Sequence, residues 1–153
     1  MDTGKLSRWL TLGANLAVLA SIVFLAIEIQ QNTEMTRAQI TQSRAETAVS
    51  LAEMLFNSEY MPAILEKASA NEALTYQESV RYNGWLRATL RNIDNNYQQS
   101  RRGLLGEHIP RASASAIRDD ILSNQTARDY WARSKMTFSD EFVVFVDGVL
   151  SDM

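Results

Sequence analysis

The single histidine of this chain is its first candidate for acid–base chemistry. His108 stands beside Glu107 in a turn that follows Gly106, and a histidine next to a carboxylate is a candidate general acid–base pair. Such catalysis needs a positioned and shielded group with a perturbed pKa, which an open turn does not provide. We therefore interpret His108 as a solvated turn residue.

Adjacent carboxylates are the next candidates, because paired Asp and Glu side chains can hold a metal ion. Asp119 with Asp120 and Asp140 with Glu141 are such pairs, but neighbouring residues on a helix point about 100° apart and do not share one metal. Helix-start and surface roles explain them better. The chain has no cysteine, which excludes zinc–thiolate sites, iron–sulfur clusters and thiol nucleophiles. We predict no catalytic residue, no metal, no cofactor and no enzymatic activity.

Arginine is unevenly distributed. Seven Arg and two acidic residues lie between Arg81 and Arg118, whereas three basic and seven acidic residues follow from Asp119 onward. Arg pairs bidentately with phosphate and carboxylate groups. Lipid headgroups, a protein partner and RNA phosphates are possible ligands, but pairing with the acidic C-terminal helices is the simplest account, and a net charge of −3 argues against nucleic acid. The candidate anion or partner face comprises Arg87, Arg91, Arg101 and Arg102.

An apolar stretch near the N-terminus predicts a membrane anchor. Residues 10–27 contain no charge, and residues 9–31 form a helix long enough to cross a bilayer core of roughly 30 Å. A cleaved signal peptide and a buried core helix are the alternatives. Lys5 and Arg8 on one side nearly balance Arg37 and Arg44 on the other, and we lean only weakly towards a periplasmic helical domain.

Small side chains inside this span form a possible helix-association face. Gly13, Ala17 and Ser21 recur every four residues, and Asn15 could donate a hydrogen bond to a neighbouring helix. Small residues are common in single spans, so the lipid bilayer itself is the first predicted partner. Another copy of the chain or another membrane protein is the second.

Apolar periodicity beyond the span predicts an all-α domain. We divide the chain into an N-terminal tail, 1–8, a transmembrane helix, 9–31, and an antiparallel helical bundle, 32–153. Thr75 and Glu78 form a capping box that starts a long helix. One face of this helix carries an apolar stripe from Tyr82 to Tyr97, which we assign to the core, and another carries a solvent-exposed polar stripe that includes Asp94. Ser139 is predicted to cap the last helix.

An alanine-rich seam precedes this domain's short helices. It runs from Ala38 through Ala45 and Ala48 to Leu55, and such a seam packs against another helix. We expect the Tyr82-to-Tyr97 stripe of the same chain to fill it, which would leave the domain largely monomeric. A break between the span and the seam, if present, falls at Asn32 and Thr33.

Five short segments resemble a widespread set of small bacterial proteins of unassigned function. That set combines one N-terminal span with a helical domain, and the resemblance implies a bacterial inner-membrane protein without implying an activity. The chain departs from the set at Gln30, where many members carry Arg. The segments are 28–33 (EIQQNT), 95–99 (NNYQQ), 102–105 (RGLL), 130–131 (YW) and 138–142 (FSDEF).

Two functions from different classes follow. The first is a non-enzymatic, membrane-anchored interaction or scaffold protein, an accessory component of a membrane complex. The alternative is a helical bundle that senses a small ligand between its helices, because bundle cores can hold ligands.

Overall fold

A computed structural model describes residues 3–152, except for the side chains of residues 5 and 6. Residues 1 and 2 of the predicted tail and the side chain of Lys5, used for orientation, lie outside the described residues. The described chain is helical and contains no strand, so the all-α prediction is confirmed. It divides into two compact units, one ending at Thr41 and the other beginning at Gln42.

Helix α1, Thr3–Phe56, is the longest element. It contains no proline, and after Gly13 it contains no glycine, so nothing in its sequence forces a break. It continues through residues 32 and 33, where Thr33 and Thr36 donate side-chain hydrogen bonds to the carbonyls of Ile29 and Asn32. These hydroxyl groups are satisfied by the preceding turn and do not start a new helix.

The second unit consists of the end of α1 and five further helices. These are α2, Met61–Ser69; α3, Tyr76–Arg101; α4, His108–Ala116; α5, Gln125–Ser134; and α6, Asp140–Ser151. A π-helical turn, Ile117–Ile121, extends α4, and a 3₁₀ turn, Lys135–Thr137, follows α5. The antiparallel order of these helices stays a prediction.

Local sequence signals set the boundaries of α3 and α5. The Thr75 hydroxyl accepts a hydrogen bond from the Glu78 amide at 3.3 Å, and Glu78 accepts one from the Thr75 amide at 2.8 Å, which confirms the predicted capping box. Gly103, at φ +71°, follows the end of α3. Asn124 caps α5 through the amide of Ala127.

One hydrophobic core joins α2, α3, the π turn, α5 and α6. The predicted stripe of α3 lies in it, with Tyr82, Leu86 and Leu90 fully buried. Phe142 and Val146 of α6 are also fully buried, and the Phe142 ring contacts the rings of Trp131 and Phe138. Only Leu55 of the alanine-rich seam packs against this core. Ala45 and Ala48 are exposed, so the prediction that α3 fills the whole seam is wrong; the core of the second unit reaches only the last turn of α1.

Candidate functional site

An open groove on the second unit is a candidate binding site. It has a volume of about 580 Å³, within the range of small-molecule sites. Two helix segments form its sides, the last turn of α1 and the first half of α3, and the start of α2 closes one end. It is lined by Glu53, Met54, Asn57, Ser58, Met61, Val80, Arg81, Gly84 and Trp85.

Local structure fixes the floor of the groove. Trp85 is 9% exposed and stacks on Tyr82 with ring centroids 5.8 Å apart, so the core holds the indole in place. Ser58 lies between α1 and α2, and its hydroxyl accepts a hydrogen bond from the Met61 amide at 3.2 Å. The chain therefore turns at Ser58 and carries Met61 into the core beside Trp85.

Gly84 leaves the α3 side of the groove without a side chain at one position. It lies inside α3, where glycine is less stable than alanine by about 1 kcal/mol. A Cβ at this position would have no neighbouring atom within 4 Å, and no positive φ requires glycine there. Neither the backbone nor intramolecular packing explains the residue, and its effect is to leave the backbone of α3 accessible from the groove.

Two opposite charges lie at the edges of the groove. The Arg81 guanidinium stacks over the Tyr60 ring, with Cζ 4.2 Å from the centroid, a cation–π contact that helps to hold the side chain in place. Glu53 is exposed on α1. Three ion pairs are present within residues 3–152, and neither Glu53 nor Arg81 belongs to one of them. The pairs join Lys67 to Glu78, Arg118 to Asp119 and Lys135 to Asp147.

A charged pair ties α2 to α3. Lys67 Nζ lies 2.6 Å from Glu78 Oε1. The hydrogen bond from Lys67, followed by the bond from the Thr75 amide, lowers the pKa of Glu78 to about 2. The hydrogen bond to Glu78 raises the pKa of Lys67 in turn. Glu78 thus acts in the capping box and in the contact between two helices.

A polar cluster joins the middle of α3 to the start of α6. Asp94 is only 7% exposed; its Oδ1 accepts from the Ser139 hydroxyl at 2.7 Å and its Oδ2 from the Ser139 amide at 3.4 Å. Gln98 donates to the same hydroxyl at 2.8 Å. The prediction that Asp94 lies on a solvent-exposed polar stripe is therefore wrong. Ser139 is the N-cap residue of α6, as predicted, but its hydroxyl donates to Asp94 of α3 and makes no bond to its own helix.

The predicted arginine face separates into different roles. Arg91 donates to the Thr137 carbonyl and its Cζ lies 4.6 Å from the centroid of the Phe138 ring, so it packs against the connection between α5 and α6. Arg87, Arg101 and Arg102 are exposed on α3 and just after it. Arg91 thus contacts the C-terminal segment, as predicted for the arginines of this face, but it binds a backbone carbonyl and not a carboxylate.

A second acidic site anchors the C-terminal helices. Asp147 accepts from Trp131 Nε1 at 2.8 Å and lies 2.7 Å from Lys135 Nζ. Burial raises the pKa of Asp147, but the bonds from Lys135 and Trp131 outweigh burial and leave it below its ordinary value. We interpret this cluster as structural, because Asp147 of α6 is bound by residues of α5 and of the 3₁₀ turn after it.

The predicted association face lies on the first unit. Gly13, Asn15, Ala17 and Ser21 are all exposed on α1. The Ser21 hydroxyl donates to the Ala17 carbonyl at 2.8 Å, so it is already satisfied within its helix. Association through this face stays a prediction.

The residues considered for catalysis lie on separate helical elements. His108 is exposed at the start of α4 and its ring lies over Gly106. Asp119 is held by Ser115 and Arg118, and the Ser115 hydrogen bond lowers its pKa. Asp140 and Glu141 open α6, which is a common position for acidic residues. Within residues 3–152 no three His, Asp or Glu side chains group as metal ligands.

The groove was missed in the sequence analysis. Its residues come from three helices and show no shared spacing, and Trp85 lies next to the apolar stripe of α3 in sequence, which does not distinguish a core residue from a groove residue. Gly84 was the one available signal, because a glycine inside an otherwise strong helix is unusual.

Comparisons of this chain with protein-family models, with curated proteins and with solved structures find no match. The resemblance to small bacterial membrane proteins therefore stays a prediction.

Proposed function

We propose that this chain is a membrane-anchored helical protein that works by binding partners and not by catalysis. The observation that carries the proposal is the exposure of α1. An 18-residue window of this helix is apolar enough to cross a bilayer, and none of it is buried within the protein. A helix that is apolar on every side needs a nonpolar surrounding, either a protein core or a membrane.

The bilayer supplies that surrounding better than a core does. Exposed side chains cover the whole circumference of α1 between residues 10 and 29, including Leu16, Leu19 and Phe24. Soluble monomers rarely expose apolar patches beyond a few hundred Å². A core helix of this domain would be covered by the domain's other helices. We propose that the chain is a single-pass protein of the bacterial inner membrane, with its helical domain on the periplasmic side.

Membrane extraction tests the anchor. We expect the full-length protein in the pellet after alkaline carbonate washing, with residue 1 or 2 at its N-terminus. A soluble product that begins near Ser21 would instead identify a cleaved signal peptide. A full-length protein released into the supernatant would show that α1 is covered by protein.

Substitutions in the span test self-association. Gly13→Leu and Ala17→Leu should weaken association in membranes, because a larger side chain separates two closely packed helices. Ala26→Leu is the matched control, since Ala26 is nine residues beyond Ala17 and lies on the opposite side of the helix. Equal association of all three variants would contradict the predicted face.

The groove supports the alternative function, a ligand-sensing domain. Its volume and its lining of Met, Val and Trp side chains with a few polar groups are typical of small-molecule sites. Native mass spectrometry of the purified chain tests this alternative directly. A stoichiometric small molecule that leaves on Gly84→Trp, but remains on the same change at exposed Gly148, would favour sensing.

A further inference from the structure

The two sides of the groove between α1 and α3 carry opposite charges. Glu53 lies on the α1 side and Arg81 on the α3 side, and within the described residues neither forms an ion pair. In a symmetric dimer, residue i of one copy meets residue j of the other and j meets i. A twofold axis that runs along the groove exchanges its two sides, so the α1 side with Glu53 faces the α3 side with Arg81 of the other copy.

The surface between these charges is apolar and allows close approach. Met54 is 45% exposed on α1 and Val80 is 54% exposed on α3. Gly84, one turn after Val80, presents open space where another residue would carry a side chain. A glycine on a helix surface lets a second helix approach its backbone, and Met adapts its shape to an opposing surface.

The membrane anchor, which rests on the proposed function, makes a second copy the most available occupant. Copies inserted in the same orientation carry their domains on the same side of one membrane. Confinement raises the effective concentration of each groove for the other, so a modest interface is sufficient. The twofold dimer is also the most common protein assembly.

We propose that the groove is a dimer interface, in which the α1 edge of each copy, Glu53 and Met54, packs against the α3 edge of the other, Val80, Arg81 and Gly84. The proposal differs from the sequence expectation of a monomeric domain. It also differs from association through Gly13 and Ala17, since it lies in the other unit of the chain.

Charge reversal at Glu53 and at Arg81 distinguishes a dimer from a monomer. In a Glu53→Arg homodimer each groove edge meets like charge, and the same holds for Arg81→Glu. We expect each homodimer to dissociate with a constant raised roughly thirty-fold, since two attractive pairs become repulsive. A mixture of the two full-length variants restores opposite charges at both contacts. Differently tagged copies should therefore co-purify as a mixed dimer at close to the natural level.

Disulfide trapping in membranes provides an independent measurement, because the natural chain has no cysteine. Co-expressed full-length copies that carry Met54→Cys and Val80→Cys, respectively, should form a mixed disulfide on mild oxidation. Exposed residues of the same types on other elements serve as controls. Met136→Cys and Val144→Cys, whose natural side chains are 88% and 73% exposed, should not cross-link above the background from random collisions.

The outcomes separate this inference from the anchor. Carbonate-resistant protein in which the groove pair cross-links no faster than the control pair would overturn the dimer and leave the anchor intact. A mixed dimer formed by protein that carbonate releases would overturn the anchor and support the groove. A monomer that retains a small molecule in the groove, or charge variants whose mixture associates no better than each alone, would also overturn the dimer.

Discussion

Replacing Ser139 with Ala, alone and together with Asp94→Asn, distinguishes a helix cap from a contact between helices. The substitution removes the hydroxyl that donates to Asp94 at 2.7 Å and accepts from Gln98 at 2.8 Å. A hydrogen bond to a charged group contributes about 1.5–3 kcal/mol, and Asp94 is too buried to replace the donor fully with water. We expect the free energy of unfolding to fall by about 2 kcal/mol.

A simple cap would give a similar loss, since capping contributes about 0.5–2 kcal/mol. The double-mutant cycle with Asp94→Asn therefore decides between the two explanations. If the Ser139 hydroxyl acts through Asp94, the losses are coupled by about 1 kcal/mol or more. If Ser139 only caps α6, the two losses add to within about 0.5 kcal/mol.

Urea unfolding of the full chain in mild detergent, followed by tryptophan fluorescence, measures each loss. Trp131 lies in the core next to Phe138 and reports on the same region. Ser123→Ala is the control, because that exposed hydroxyl bonds only to the Asp120 carbonyl of its own turn. Additive losses for Ser139→Ala and Asp94→Asn would refute the assignment of Ser139 to the α3–α6 contact.

Three further predictions concern the same unit. Trp85→Ala should lower the free energy of unfolding by roughly 3–5 kcal/mol, because the indole is buried on Tyr82; a loss below about 0.5 kcal/mol in the urea assay would show that it is not part of the core. Gly84→Ala should stabilise the unit by about 1 kcal/mol, whereas Gly103→Ala should destabilise it by a similar amount because φ is +71° there; equal effects would contradict this account. Glu78 has its pKa lowered from 4.5 to about 2 in the folded chain, so its stabilisation is complete above pH 4.5 and is lost as the pH falls towards 2. Unfolding measured across that window should show a smaller pH dependence for Glu78→Gln than for the natural chain, and identical profiles would contradict the assignment.

Signals that act within a few residues were sufficient to predict much of the fold. The capping box at Thr75 and Glu78 and the apolar stripe of α3 depend on backbone geometry and on helical periodicity. These features depend only on residues close together in the sequence, and for that reason they can be predicted from the sequence alone. The apolar character of α1 is local in the same sense, because length and composition decide it.

The tertiary structure decided which polar residues are buried and where a groove opens. Asp94 and Ser139 are 45 residues apart in sequence, and helical periodicity places Asp94 on a polar stripe without showing that α6 covers it. Glu53 and Arg81 belong to different helices, and only the packing of α1, α2 and α3 places them on one groove. Spacing within a helix determines which side chains share a face, but the choice of partner for that face depends on contacts between residues distant in sequence, whose packing energy no local pattern records.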